Sequence, residues 1–499
     1  MLFTSIYFFT FFPLVFLLYY LLPHAFRWML LLISSLLFYM VFSWQYTIFF
    51  SGLILVNYWL GRNIFSSSGR LRKGLYRSGI FFNMLVLCFF KYSGFLNIDF
   101  IRIADLLHLH YPLPMIRWIL PLGLSYLIFT ILAYLIDIKR KKIIPEKHAG
   151  ILALYFLFFP KIAQGPIERP GSLLPQFHSR HTFNYENITY GLKRMAWGFF
   201  KKLVISDTIA LFVNTVYADS AHTSGPFLIL GTILFSFQIY ADFSGYTDIA
   251  LGLAALFGFR LTENFRRPYL SASVQEFWNR WHISFSTWLR DYIFLPLAYW
   301  FSGKLKKARY LYIATEKWIY FFSIMITFYI CGLWHGEGLH YQVWGLLFGF
   351  LLTVSNWTQK PARNIRKKFH IIKTSGGYRI TQILLTFLLL NFTWIFFRSE
   401  GLPEAKTILV NIFHGWSWNA MELSWTSLLQ HGINERVMGI ILVSTGILIM
   451  TDLLSEKKDV FLRLAASPVY VRWAVYYLVI LLMIVYSTTG NRQFIYLQF

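Results

Sequence analysis

Long apolar stretches recur from Phe3 to Thr488, separated by short polar or basic segments. The most regular stretches predict membrane-spanning helices near residues 5–22, 28–44, 46–60, 79–96, 119–137, 380–397, 437–454 and 473–489. Because apolar sequence runs along the whole chain, we expect one membrane-embedded domain over residues 1–499. The predicted fold class is an all-α polytopic membrane protein, with about 11–14 transmembrane, re-entrant and interfacial helices around a central funnel.

The pattern is less regular between residues 143 and 377. Pro160, Pro166 and Pro170, together with nearby glycines, interrupt the apolar segments there. Proline and glycine break helices, and non-helical backbone at membrane depth persists only where it is buried in protein or lines a cavity. We therefore expect broken or re-entrant helices in this region, and we predict it to be the catalytic middle of the domain.

Within this middle region, the stretch from Glu276 to Asp291 predicts a single amphipathic helix. Phe277, Trp281 and Trp288 would lie along one stripe of it. A helix of this kind can lie in the membrane interface.

Composition and charge agree with a membrane location. The chain is 57% hydrophobic and carries a net charge of +24, from 46 basic and 22 acidic residues. The basic residues cluster between the apolar stretches, as at Arg70–Arg77 and Lys139–Lys142. That placement is typical of cytoplasmic loops facing anionic membrane lipid, and with no accompanying motif it argues against nucleic acid as a partner. Positive-inside counting predicts that both termini, including a C-terminal tail at 491–499, lie outside.

The two cysteines, Cys88 and Cys331, both lie in apolar runs. Their positions provide neither a disulfide framework nor metal-ligand spacing. We predict no metal site and no bound cofactor.

The segment Gly332-Leu333-Trp334-His335-Gly336 is the most informative motif in the chain. An ionisable side chain at membrane depth costs ~2.5 kcal/mol or more, so one found there usually has a function. We interpret His335 as the general base of an acyl transfer, and its flanking glycines as space for a substrate. The alternative is a structural histidine bonded to a neighbouring carbonyl.

Several motifs carry a resemblance to a known family. They are Pro121 to Ser125, Asp242-Phe243-Ser244-Gly245-Tyr246-Thr247-Asp248, Glu276 to Ser284, Gly332 to Gly336 and Gln493-Phe494-Ile495-Tyr496. The chain resembles the membrane-bound O-acyltransferase family, in the branch typified by alginate O-acetylation, nearly from end to end. His335 matches the histidine usual in that family, and His282 matches its second polar position. Glu337 departs from the small residue that many relatives carry there.

The resemblance implies that the chain transfers an acyl group, typically acetyl, from a cytoplasmic thioester such as acetyl-CoA. The acceptor would be a hydroxyl of an extracytoplasmic cell-envelope or exported polysaccharide, as in alginate biosynthesis. A separate extracytoplasmic O-acetyltransferase is the expected partner, and the bacterial cytoplasmic membrane the expected location. The alternatives are D-alanyl transfer to teichoic acid from a carrier-protein thioester, and a transporter of acyl groups or polysaccharide that does no chemistry.

The remaining candidate residues each have a functional and a structural interpretation. His282 could orient the donor thioester or stabilise an oxyanion, or it could simply meet water and headgroups at the interface. The residues predicted to line an acyl channel, or else to form a structural polar network, are Asp242, Tyr246, Asp248, Asn279 and Trp334.

Two arginines and a tyrosine complete the set. Arg280 and Arg290 could contact the phosphates of a coenzyme A donor, although arginines at such positions are more often topology anchors. Tyr496 is predicted either as an aromatic anchor at the outer interface or as a relay that carries the acyl group outward on its hydroxyl. The relay resembles the C-terminal motif of the small partner peptide in teichoic-acid D-alanylation systems.

Overall fold

The computed structural model describes residues 2–106, 121–370, 375–414, 416–456 and 460–486, and helices dominate throughout. The helices of the first part are α1 (Ile6–Leu21), α2 (His24–Met40), α3 (Trp44–Ser66), α4 (Gly69–Leu106), α5 (Leu124–Lys139), α6 (Ala149–Leu157), α7 (Pro170–His178) and α8 (Tyr185–Phe200). Those of the middle are α9 (Asp207–Ala218), α10 (Gly225–Leu256), α11 (Val274–Arg280), α12 (Ile283–Leu289), α13 (Leu295–Lys304), α14 (Thr315–His335) and α15 (Leu339–Lys368). The last are α16 (Gly376–Arg398), α17 (Leu402–His414), α18 (Trp418–Gln430), α19 (Glu435–Ser455), α20 (Val460–Ala465) and α21 (Val469–Tyr486).

A few short elements interrupt this helical chain. Two segments, Lys201–Ser206 and Arg290–Phe294, are π-helical, and Pro268–Leu270 forms a 3₁₀ turn. The described residues contain one small antiparallel sheet, in which β1 (Arg309–Tyr310) pairs with β2 (Ile313–Ala314).

Six described helices, α3, α10, α14, α16, α19 and α21, are long and apolar enough to cross a membrane. Four of them coincide with the predicted spans near 46–60, 380–397, 437–454 and 473–489, and α1 and α2 are shorter apolar helices near the first two. The all-α polytopic membrane class is therefore confirmed. The central funnel and the total number of membrane elements remain predictions.

Large apolar side chains point outward from these helices. Leu388 on α16, Leu442 on α19 and Ile484 on α21 are 61%, 62% and 72% exposed. Water would penalise so much exposed apolar surface, whereas lipid does not. The exposed faces of the helices thus suit a hydrocarbon environment.

The described residues cluster into two compact units. The first takes in the chain up to Met195 together with Tyr246–Thr262, and the second takes in Ala196–Gly245 and the chain from Glu263 onward. In the first unit, Asn57 on α3 and Asn83 on α4 are fully buried and exchange side-chain hydrogen bonds of 3.0 and 2.8 Å. Such a pair satisfies both amides away from water and fixes the register of the two helices.

The proline- and glycine-containing segment after α6 interrupts the helices, as predicted. Residues 158–169 are largely non-helical, and Lys161, Gln164 and Glu168 are buried among them. Glu168 accepts hydrogen bonds from the backbone N–H and the hydroxyl of Thr262, at 2.5 and 3.1 Å. The prediction of broken, buried backbone in this region is confirmed.

The single amphipathic helix predicted from Glu276 to Asp291 is wrong. The chain breaks between α11 and α12, where His282 has a left-handed backbone with φ of 44°. The break is stable because the backbone carbonyl of Asn264 accepts the N–H of Ile283 at 2.9 Å, which replaces a helical bond. The predicted stripe residues Phe277, Trp281 and Trp288 are all buried, so this stripe packs against protein.

Glycines allow α14 and α15 to pack closely in the second unit. A Cβ added at Gly345 would clash with the Phe328 carbonyl of α14, and one at Gly332 would clash with the Tyr341 carbonyl of α15. A Cβ at Gly336 would meet the ring of Tyr341. The interpretation of the motif's glycines as space for a substrate is therefore wrong, because that space is filled by α15.

Replacing Gly345 by Val should separate α14 from α15 and lower thermal stability. Overpacking of this kind costs about 1–3 kcal/mol. The unfolding midpoint in detergent measures the effect, and Gly446→Val is the matched control, because Gly446 lies within α19 with open space around it. Equal midpoints for the two variants would contradict the close packing.

Candidate active site

His335 is the last residue of α14 and is only 3% exposed. Its Nδ1 lies 2.7 Å from the carbonyl oxygen of Cys331, one turn earlier on the same helix. A carbonyl oxygen can only accept, so Nδ1 carries a proton and donates it. In the neutral ring the lone pair then lies on Nε2, the nitrogen that can accept a proton.

Aromatic rings enclose this imidazole. The ring centroids of Trp334, Trp344 and Phe397 lie 4.6, 4.7 and 5.3 Å from that of His335. A charged ring would be costly in such surroundings, because the aromatic side chains cannot replace its hydration. The enclosure therefore suits a neutral imidazole that accepts a proton only when a reaction supplies one.

His282 is also buried, at 1% exposure, so the alternative in which it meets water and headgroups is wrong. Its Nδ1 lies 3.2 Å from the side-chain oxygen of Asn264. The same oxygen accepts the backbone N–H and the hydroxyl of Ser284, at 3.0 and 2.9 Å. One asparagine thus holds both the imidazole and the first turn of α12.

Phe285 connects the two histidines. Its ring centroid lies 5.0 Å from that of His282 and 6.3 Å from that of His335. It also packs at 4.4 Å against Trp334, which is 9% exposed. The structure therefore brings three predicted site residues, His282, Trp334 and His335, around one phenylalanine.

Asp242 takes part in a buried ionic cluster of the second unit. The Lys202 ammonium lies 2.8 Å from Asp242 and 2.9 Å from Asp207, and all three side chains are almost completely buried. The hydroxyl of Ser206 adds a hydrogen bond to Asp242 at 3.2 Å. Lys202 and Asp207 were not predicted as site residues, although charged residues in the apolar run after Phe199 were a usable signal.

Tyr246 and Asp248 belong to the first unit. Asp248 pairs with Arg194 at 3.0 Å, and Arg194 also bonds to the hydroxyl of Tyr190. Tyr246 is buried and stacks on Phe3 with ring centroids 4.9 Å apart. These contacts, like those of Asp242, fit the structural interpretation of the three residues, and their role as channel lining stays a prediction.

The predicted donor-binding arginines already have carboxylate partners. Arg280 lies 2.7 Å from Glu276 and 3.0 Å from Glu456, and Arg290 pairs with Asp291 at 2.8 Å. Hydrogen bonds from Arg280, assisted by Arg267, hold the pKa of Glu456 below its usual range.

Asn279 and Tyr496 are the last two predicted residues. Asn279 is exposed on α11. Tyr496 and the tail at 491–499 lie outside the described residues.

The described residues form a helical membrane protein with two enclosed histidines, and comparison with known proteins gives its family. The membrane-bound O-acyltransferase family matches residues 151–396, which include both histidines. The chain belongs to this family and is an O-acyltransferase.

Three relatives illustrate the range of the family. The chain is 33% identical to the probable alginate O-acetylase AlgI of Pseudomonas syringae pv. tomato, over 85% of this chain and 77% of the relative. It is 31% identical to the peptidoglycan O-acetyltransferase of Helicobacter pylori, over 81% of this chain and 78% of the relative. It is 30% identical to the teichoic acid D-alanyltransferase of Bacillus subtilis, over 56% of this chain and 69% of the relative.

Replacing Asn264 by Leu should destabilise the site. The change removes the acceptor of three buried donors, and each unsatisfied donor costs about 1–3 kcal/mol. We expect a lower unfolding midpoint in detergent and a large loss of acyl transfer. Asn63→Leu, at a partly exposed asparagine of α3 whose amide donates to the Trp59 carbonyl of its own helix, is the control. If Asn264→Leu is as stable as that control, the proposed anchoring of α12 and His282 fails.

Proposed function

We propose that this enzyme moves an acetyl group from a cytoplasmic thioester, with acetyl-CoA as the donor, toward hydroxyls of an extracytoplasmic polysaccharide. The observation that carries the proposal is the bond from His335 Nδ1 to the Cys331 carbonyl, at 2.7 Å. It favours the tautomer with the lone pair on Nε2, the nitrogen that we propose as the base. An O-acyl transfer requires such a base within reach of the attacking hydroxyl.

In the proposed reaction, Nε2 of His335 takes the proton of the attacking hydroxyl. The oxygen then bonds to the thioester carbonyl carbon, and the carbon–sulfur bond breaks as the tetrahedral intermediate collapses. The imidazolium returns its proton to the departing sulfur, so the ring is neutral again at the end. The aromatic enclosure of His335 limits the charged ring to this interval.

His282 is proposed to position the donor. Its Nδ1 faces the Asn264 oxygen, which is an acceptor, so in the neutral ring its Nε2 also carries a lone pair. A lone pair accepts an N–H or O–H of a substrate but repels an oxyanion. Of the two roles considered for His282, orientation of the donor therefore fits the geometry better than stabilisation of the oxyanion.

The names of the relatives support a polysaccharide acceptor. Two of them are described as acting on alginate and on peptidoglycan, and each aligns over more than 80% of this chain. We propose a location in the bacterial cytoplasmic membrane, with both termini outside and an extracytoplasmic O-acetyltransferase as partner. Transfer of D-alanine from a carrier protein is the second candidate, because the teichoic acid D-alanyltransferase also aligns, over 56% of the chain.

Replacing His335 by Gln should lower acyl transfer by ~100-fold or more, the usual contribution of a general base. The assay uses the full chain in proteoliposomes with radiolabelled acetyl-CoA. His222→Gln is the matched control, since His222 is exposed and pairs with Asp219 at the surface. An active His335→Gln enzyme would contradict the proposed base. If the native protein leaves acetyl-CoA untouched but consumes a carrier-protein thioester, the donor is wrong and the second candidate gains support.

Replacing Tyr496 by Phe tests the acyl relay in the same proteoliposomes. A relay requires label bound covalently to the native chain and absent from Tyr496→Phe, because the phenylalanine ring has no hydroxyl to form the ester. Tyr312→Phe, at a fully exposed tyrosine, should still take label. Label that persists on Tyr496→Phe would exclude this tyrosine as the acceptor and leave the aromatic-anchor interpretation.

A further inference from the structure

A cavity of about 220 Å³ lies in the first unit, where α1 turns into α2. Its lining includes His24 and Arg27 from the start of α2, and His178 and His181 from the end of α7 and the segment after it. Three imidazoles and one guanidinium therefore face a single space. None of these residues has a part in the reaction proposed above.

Arg27 is fixed in place by its neighbours. Its Nε donates to the Leu22 carbonyl at 3.0 Å, and one terminal nitrogen donates to the His181 carbonyl at 2.5 Å. The guanidinium also lies over the rings of Tyr19 and Tyr20, 4.9 and 5.6 Å from their centroids. A guanidinium held this way is prepared for a ligand, because little side-chain freedom remains to be lost on binding.

No carboxylate among the described residues forms an ion pair with Arg27. The acidic residue associated with the cavity lining is Glu146, which lies 2.8 Å from His178. The positive charge of Arg27 is thus balanced by aromatic faces and carbonyl oxygens alone. An arginine in this situation attracts an anion from outside the protein.

His181 adds a polar ring to the cavity wall. It bonds through Nε2 to the carbonyl of Gln176 at 2.8 Å, so Nδ1 is its other polar atom. Burial lowers the pKa of His181, and the neighbouring His24 and Arg27 lower it further, against the bond to Gln176. A lowered pKa favours the neutral ring, so the positive charge at the cavity comes from Arg27.

The walls and the size of the cavity indicate which part of a ligand fits. Trp28, Phe177 and Phe259 provide apolar surface beside the charged groups. The volume is below the ~300–1,000 Å³ of pockets that enclose a drug-sized ligand. The cavity therefore suits one charged group of a larger molecule whose remainder extends outside.

We propose that this cavity binds a phosphate group, carried by the headgroup of an anionic phospholipid or by a nucleotide such as the donor's. Guanidinium and phosphate match in geometry and charge, and the basic loops of the first unit would favour arrival of the anion. Binding of a lipid phosphate does not depend on the proposed reaction, whereas binding of the donor's nucleotide rests on the proposed function.

Thermal unfolding of the purified, delipidated full chain in uncharged detergent tests the site. Three probes are titrated separately: dihexanoyl phosphatidylglycerol, adenosine 3′,5′-bisphosphate and inorganic phosphate. We expect a higher midpoint with at least one of the two organic probes, and which one acts identifies the source of the phosphate. A response to both supports the shared chemistry, whereas a response to inorganic phosphate alone, or to no probe, overturns the proposal.

Variants then place the response in the cavity. Arg27→Gln and His24→Glu should each raise the half-saturating concentration of the active probe at least fivefold. Arg62→Gln should leave it unchanged, because Arg62 stacks on Tyr58 in the same manner but is exposed and outside the cavity. If Arg27→Gln fails to fold, His24→Glu decides, since the structure gives His24 no hydrogen bond to lose. Undiminished binding in the folded variants would also overturn the proposal.

Discussion

Several polar side chains buried in this chain bond to other parts of the chain, because lipid offers them no hydrogen-bond partner. Asn57 and Asn83 satisfy each other between two helices, and Lys202 lies between two carboxylates. Asn264 collects three hydrogen bonds on one oxygen. Removing one partner from such a set leaves the other uncompensated, which makes these bonds strong constraints on the fold.

The same need for internal hydrogen bonds orients the two histidines of the candidate site. His335 lies at the end of an apolar helix, and the carbonyl one turn earlier accepts a hydrogen bond from its Nδ1. That bond satisfies one nitrogen and leaves the other as the proposed base. At His282, the left-handed backbone ends one helix and begins the next, and Asn264 holds the ring where the two helices meet. The same hydrogen bonds thus satisfy buried polar groups and orient the two imidazoles.

The length of the apolar stretches was enough to predict much of the fold from the sequence. The spans near 380–397 and 437–454 fall on α16 and α19, because a stretch of some 20 apolar residues has few other stable states in a cell. The break at His282 escaped prediction, since the helical pattern of its neighbours continues across it and the stabilising carbonyl comes from Asn264, eighteen residues earlier. The partner of Arg280, Glu456, is 176 residues away and gives no local signal.

The site was predicted as separate residues, and the contacts among them required the structure. His335, His282 and Trp334 were each singled out in the sequence, yet Phe285, which packs against all three, was not. An aromatic residue in a chain with 52 phenylalanines carries no signal of its own. The glycines beside His335 were assigned to a substrate, whereas their physical role is to admit α15.

The tautomer of His335 is the most direct test of this account. Nitrogen-15 solid-state NMR of the full chain in lipid, with labelled histidine, reports which ring nitrogen carries the proton, and comparison with His335→Gln assigns the signal. The account predicts a neutral ring protonated at Nδ1 near pH 7. A ring protonated at Nε2, or at both nitrogens, would contradict it, because no lone pair would then be available at Nε2 to accept the proton of the hydroxyl.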